Sequence, residues 1–295
     1  MGIEYELEGP KGAPVVLLVM GLAAQLTAWP PALLERLHGA GFRTLRFDNR
    51  DAGLSEKMER RRAPNLPLQA ILSRLNVSGL APYNLRDMAA DAEGLMAALG
   101  VERAHVVGVS MGGMIGQVFA GTRPARTLSF AGIMTTTNRP RLPGARRDVA
   151  KTMFGPGPVA ATEEAAIERG VRIWRLIGSP DGGEDEAALR ARVTAAVRRS
   201  NYPAGIRRQT AAIVDEGDLR RYARRIAAPT LVIHGEADPL VRIEGGADLA
   251  ACVPGARFER IEGMGHDLAP RHLPRIAELL IGHVEAAEAA ARVGA

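Results

Sequence analysis

His105-Val106-Val107-Gly108-Val109-Ser110-Met111-Gly112-Gly113-Met114-Ile115-Gly116 is the stretch whose reading decides the fold. An apolar run arrives at a serine set between Gly108 and Gly112, and a glycine-rich helical pattern starts directly behind it. G-x-S-x-G alone is a weak pattern in a chain with 33 glycines. Its setting gives it weight, because strand, sharp turn and helix are what a nucleophile elbow requires. Such a turn forces the serine into a strained backbone conformation in which neighbouring side chains would clash, so small neighbours are needed. The turn holds the Ser110 hydroxyl above the sheet, and the Met111 N–H, at the start of the helix, points to where a substrate oxyanion would form.

Working outward, residues 15–20 read Val-Val-Leu-Leu-Val-Met between a proline and a glycine, the continuous apolar run of a strand buried on both faces. A helix over 31–40 follows, opened by prolines and ended at Gly41, then a strand over 43–47, which completes a strand-helix-strand unit. Asn84 opens a helix whose apolar residues Leu85, Met88, Ala92, Leu95, Met96 and Leu99 recur at helical spacing until Gly100. Strands over 104–109 and 128–134 enclose a helix over 111–121. The alternation predicts an α/β fold with a mostly parallel, doubly wound sheet flanked by helices.

From 135 to 225 the alternation stops, and the segment reads as helices broken at Gly155-Pro156-Gly157-Pro158 and Ser179-Pro180-Asp181-Gly182-Gly183. Strands resume over 230–234 and 258–261, and a helix over 270–290 closes the chain. The expected organisation is a core of 1–134 and 226–295, with 135–225 as a helical cap inserted after the sixth core strand.

Composition narrows the function classes. With 46% hydrophobic and 24% charged residues the chain is that of a globular protein, not a disordered one. The net charge of +5 comes from arginines spread along the chain, and the clusters Arg60-Arg61-Arg62 and Arg146-Arg147 lack aromatic interleaving, so no nucleic-acid partner is expected. The single cysteine, Cys252, excludes an intrachain disulfide. No secretory leader or membrane span is read, so a cytoplasmic monomer or homodimer is expected. No cofactor and no metal is called for.

A serine hydroxyl needs a base to take its proton, and histidine suits that task. Of six histidines, His105 lies inside the strand before the serine, His234 ends another strand, and His38, His272 and His283 fall in helices or their starts. His266 instead lies in Gly263-Met264-Gly265-His266-Asp267, a loop after the last strand that can reach over the sheet edge. The acid that orients it should follow a strand. Asp238 in His234-Gly235-Glu236-Ala237-Asp238-Pro239 is preferred, with Glu236 and Asp267 as competitors. The second oxyanion donor is placed at Leu22 N–H in Met20-Gly21-Leu22-Ala23, with Gly21 giving room. Met134, Trp174 and Ile177, with Gly21, are expected to line the substrate pocket.

With these motifs in hand the chain resembles the α/β-hydrolase family along nearly its whole length. Asp48-Asn49-Arg50-Asp51-Ala52-Gly53-Leu54-Ser55 looks like that family's turn after its fourth strand, and 234–241 and 263–267 look like its acid and histidine segments. Within the family, 19–26 and Tyr202-Pro203-Ala204-Gly205 with Arg208-Gln209 are similar to hydrolases of the aclacinomycin methylesterase type. Two residues depart from the family pattern: Met20 stands where many members carry histidine, and Arg242 where proline is common. The expected activity is hydrolysis of a small-molecule carboxylic ester through an acyl-enzyme on Ser110. A cofactor-free haloperoxidase or perhydrolase, a lyase, an acyltransferase and a hydrolase-like ligand receptor are the alternatives.

Overall fold

The computed structural model describes residues 1–75, 77–155 and 162–293. Of the predicted breaker at 155–158, Pro156, Gly157 and Pro158 lie outside the described residues. Among the described residues one sheet contains β1 (Tyr5–Glu8), β2 (Val15–Val19), β3 (Arg43–Phe47), β4 (Ala104–Val109), β5 (Thr127–Ile133), β6 (Thr230–Gly235) and β7 (Arg257–Ile261). Their spatial order is β1-β3-β2-β4-β5-β6-β7. β1 pairs antiparallel with β3, and every other pairing is parallel.

The helices are α1 (Pro31–Gly39), α2 (Leu66–Arg74), α3 (Leu85–Ala98), α4 (Met111–Thr122), α5 (Arg147–Phe154), α6 (Glu163–Ile177), α7 (Glu186–Arg199), α8 (Pro203–Glu216), α9 (Arg220–Ala223), α10 (Ile243–Cys252) and α11 (Leu273–Val293). Five of them, α5 to α9, occupy the segment between β5 and β6. That segment leaves the sheet after its fifth strand, not the sixth as expected, because only β1 precedes the Val15 run. No described helix is long and apolar enough to cross a membrane.

The pleat explains why β2 is apolar throughout. Val15, Leu17 and Val19 enter the cluster built with α3 and α4, while Val16, Leu18 and Met20 enter the one built with α1 and α11. Each fully buried aliphatic side chain of this kind contributes about 1.5–3 kcal/mol of transfer free energy. α3 starts on a capping box in which the Asn84 side chain accepts the Asp87 N–H and the Asp87 carboxylate accepts the Asn84 N–H. α4 is buried from Met111 to Gly121, so its glycines and small residues let it lie between the sheet and its neighbours.

The chain crosses from β2 to β3 on one side and returns to place β4 on the other. The loops after β2 and β4 therefore diverge, which opens a crevice at the carboxyl ends of the strands where ligands of open α/β sheets bind. Ser110 follows β4, and Gly21 follows β2.

Candidate active site

Ser110 has φ 56° and ψ −119°, a left-handed conformation for a residue with a side chain. The strain is held by its surroundings. Ser110 N–H donates to Ile133 O at 2.9 Å, and its carbonyl accepts the Gly113 and Met114 N–H groups at 3.0 and 3.2 Å and the Thr135 hydroxyl at 2.8 Å. Close approach also fixes the two motif glycines. A Cβ on Gly108 would lie 2.2 Å from Gly112 O, and one on Gly112 would lie 2.0 Å from Val19 O, distances that no relaxation of a side chain relieves.

His266 comes to this serine from β7 and Asp238 from β6. His266 Nδ1 lies 2.7 Å from Asp238 Oδ2, and Nε2 lies 3.0 Å from Ser110 Oγ. With Nδ1–H donating to the carboxylate, Nε2 accepts the serine hydroxyl. The other carboxylate oxygen, Asp238 Oδ1, accepts the Leu240 and Val241 N–H groups, both at 2.9 Å. Burial pushes the Asp238 carboxyl up, but His266 and His234 outweigh it and hold the carboxyl well below the usual range.

The competing acids lie elsewhere. Glu236 is exposed and faces Arg260 at 3.7 Å. Asp267 accepts the Ser179 N–H at 2.8 Å and the Ser179 hydroxyl at 2.5 Å. The side chains of four of the five remaining histidines have other partners. His105 meets Ser129 and Glu288, His38 meets Thr44, His283 donates to Phe130 O, and His234 Nε2 donates to Val241 O at 2.8 Å.

Leu22 and Met111 both present N–H groups that have no hydrogen-bond partner among the described residues. Gly21 lies against the serine, since a Cβ placed on it would be 3.1 Å from Ser110 Cβ. Gly21 O accepts the Ala24 N–H at 3.3 Å, and Ala23 between them has φ 63°. Met134 is buried at the end of β5 with φ 43°, between Ile133, which accepts the Ser110 N–H, and Thr135. Ile177 is buried, and its carbonyl accepts the His266 N–H. Trp174 packs in the seam between α6 and α7 beside Val171 and Leu189, with the Arg192 guanidinium 4.6 Å from its ring centre.

Residues 14–272 match the model of the α/β-hydrolase fold family, and the strand-serine-helix turn, with Asp and His after later strands, has the chain order of that fold. The chain belongs to the α/β-hydrolase fold family. As a member of it, the chain is 29% identical over 300 residues to rhodomycin D methylesterase DauP of Streptomyces sp. (strain C5), covering 94% of this chain and 93% of that one. It is also 29% identical to rhodomycin D methylesterase DnrP of Streptomyces peucetius, over 95% of this chain and 94% of the relative. Among solved structures the enol-lactonase from Burkholderia xenovorans LB400 shares the fold, with a TM-score of 0.71, 23% identity and 96% of each chain covered.

This α/β hydrolase also carries polar contacts that local sequence patterns do not reveal. Arg208 in α8 grips Asp51 with two bonds of 2.8 Å, and Tyr83 donates its hydroxyl to the same carboxylate at 2.7 Å. Next to Arg208, Gln209 Oε1 accepts the Ala23 N–H at 3.0 Å while its Nε2 donates to Arg50 O at 2.8 Å. Arg199 in α7 reaches Asp48 and Gln25, each at 2.7 Å. The signals were the Asp48–Ser55 turn and the Arg208-Gln209 pair, neither of which names its partner.

Proposed function

We propose that this α/β hydrolase cleaves a small-molecule carboxylic ester through an acyl-enzyme on Ser110, with residues 135–225 forming a helical cap over the site. The hydrogen-bonded line from Ser110 Oγ through His266 to Asp238 is the observation that carries the reading. The relatives named rhodomycin D methylesterase support a methyl ester as the cleaved group.

In this mechanism His266 Nε2 takes the proton of Ser110 as Oγ attacks the ester carbonyl carbon. The carbonyl π pair moves onto oxygen, and the oxyanion is held by the Leu22 and Met111 N–H groups, fixed donors that need no reorganisation. The tetrahedral intermediate collapses, the C–O bond to the alcohol breaks, and the alcohol leaves with the proton from His266. Water then attacks the acyl-enzyme with His266 again as base, the acid departs, and Ser110 regains its proton. Asp238 stays ionised throughout and stabilises the imidazolium. Gly21 and Met134 flank the acyl group, Ile177 acts on the base side, and Trp174 supports the α6–α7 wall.

Hydrolysis of a panel of p-nitrophenyl esters and of aryl methyl esters by the native chain and by Ser110→Ala tests this. The variant is expected to lose at least about 1,000-fold in kcat, and a fluorophosphonate is expected to label only the native chain. Equal rates, or labelling of both forms, would overturn the mechanism.

A further inference from the structure

Gln209 is remote in sequence from every residue of the proposed chemistry and is buried to 1% exposure, yet both ends of its amide are hydrogen-bonded. Its oxygen accepts the Ala23 N–H at 3.0 Å, and its nitrogen donates to Arg50 O at 2.8 Å. Gly21, Leu22, Ala23 and Ala24 form a tight turn closed by Ala24 N–H to Gly21 O at 3.3 Å, with Ala23 at φ 63°. A positive φ at the third position is the signature of a type II turn, which favours glycine there and strains alanine. Opening of the strained turn would release that strain, move the Ala23 N–H and break the bond from Ala24 to Gly21 O. Gln209 accepts that N–H in the observed orientation.

The consequence reaches Leu22. In a trans peptide, C=O and N–H point in opposite directions. Gly21 O, tied to Ala24, therefore aims the Leu22 N–H outward, away from the turn and with no partner among the described residues. Gly21, the residue before it, sits against Ser110. The turn is anchored at its ends as well. Asn49 Nδ2 donates to Met20 O at 2.9 Å, and Asp48 Oδ1 accepts the Leu26 N–H at 2.7 Å. Those anchors belong to the sheet side, whereas Gln209 comes from α8, in the helical segment inserted between β5 and β6. Arg208, beside it, locks α8 to the loop after β3 through Asp51.

We infer that Gln209 is a positioning residue for the oxyanion donor: by accepting the Ala23 N–H it holds the strained turn that points the Leu22 N–H at the substrate oxygen. The inserted helices thereby complete the reaction site in addition to covering it. The inference rests on the proposed ester hydrolysis by Ser110. It predicts that the contact acts on the transition state, where the oxyanion forms, more than on substrate binding.

The test compares Gln209→Met, which keeps the bulk and loses both polar contacts, with Gln209→Glu, which keeps an oxygen over Ala23 in either protonation state. Gln209→Met is expected to lower kcat about 10- to 100-fold with KM changed less than about 3-fold, as a small misplacement of a donor does. Affinity for a trifluoromethyl ketone, whose adduct with serine carries the oxyanion, is expected to fall by the same factor as kcat/KM. Gln209→Glu is expected to recover most of kcat. If Gln209→Met does not fold, Gln209→Asn, one methylene too short to reach Ala23, carries the same expectation. A native kcat in Gln209→Met and Gln209→Asn, a fall confined to KM, or a loss of kcat without the matching loss of inhibitor affinity would overturn the role. Native activity that depends on Ser110 shows separately whether the underlying ester hydrolysis stands.

Discussion

The backbone N–H of His266 donates to Ile177 O at 2.7 Å, so the loop that carries the proposed base is hydrogen-bonded to the last residue of α6. The connection continues one turn further. Ser179 Oγ accepts the Gly265 N–H at 2.8 Å and donates to Asp267 Oδ1 at 2.5 Å, while Asp267 Oδ2 accepts the Ser179 N–H at 2.8 Å. The residues on both sides of His266 are thus tied to Ser179. Asp267, a competitor for the triad acid on sequence grounds, holds this junction instead.

Ser179→Ala removes one donor and one acceptor from the junction. It is expected to lower kcat about 10-fold by loosening the His266 Nε2 to Ser110 Oγ alignment, with the misfit of an unpaired Asp267 oxygen costing about 1 kcal/mol of stability. The rate of fluorophosphonate labelling should fall with kcat. Labelling at the native rate would show that the junction does not position the base.

Asp238 and Glu236 are two residues apart, and their surroundings predict opposite outcomes. Asp238 is buried, accepts two N–H groups and touches His266, whereas Glu236 is exposed beside Arg260. Asp238→Asn leaves the shape but reverses the preferred tautomer of the imidazole, for which a loss of about 10,000-fold in kcat is expected. Glu236→Gln is expected to stay within about 2-fold of native, since an exposed pair contributes little. Equal losses in ester hydrolysis would remove Asp238 from the mechanism.

The elements that can be read from the chain are those whose signal is local. β2 and β4 are buried at every position, so their apolar runs are continuous, and Ser110, Asp238 and His266 each follow a strand of that kind or its partner. β1 escapes notice because an edge strand with an exposed, half-buried, half-buried, exposed pattern carries no apolar run. α10 escapes because Gly245 and Gly246 interrupt its helical signal, and α2 because its apolar side chains Leu68 and Ile71 are exposed. The contacts of Arg208 with Asp51 and of Gln209 with Ala23 span 157 and 186 residues, and a polar side chain in a helix does not declare a partner at that distance. Chemistry that follows strand ends is legible, and the polar scaffold around it is not.

That scaffold sets an expectation for stability. Arg208 and Asp51 are both buried, and Asp51 holds φ 67° in the turn after β3. Burial pushes the Asp51 carboxyl up, but Arg208, the Met58 N–H and the Tyr83 hydroxyl draw it below its usual value. Removing one member of a buried pair leaves the other charge unpaired, so Asp51→Ala is expected to destabilise the protein by about 3–5 kcal/mol. Arg208→Met, which leaves Asp51 with the Met58 and Tyr83 donors, should cost less. Urea unfolding of the three proteins decides the matter, and a loss under about 1 kcal/mol for Asp51→Ala would show that water replaces the Asp51 carboxylate beside Arg208 at no cost.

His283 predicts where acid acts on the fold. It is buried on α11, and its Nε2 donates to Phe130 O at 3.1 Å. Burial pushes its pKa down to about 4, assisted by Arg257 and the neighbouring His105, while the Phe130 carbonyl works in the opposite direction. The unfolded chain binds that proton with a pKa near 6.5. Between these values the unfolded state holds more protons than the folded one, so stability is full above about pH 6.5 and is lost as the pH falls towards 4. From pH 7 to pH 5 the loss from this residue is about 2 kcal/mol. His105, also pushed down by burial with Glu288 opposing, adds loss of the same sign. His283→Gln keeps a donor for Phe130 O but does not titrate, and its unfolding free energy is expected to fall by about 2 kcal/mol less than that of the native chain over the same interval. Parallel losses in the two proteins would assign the acid sensitivity to other groups.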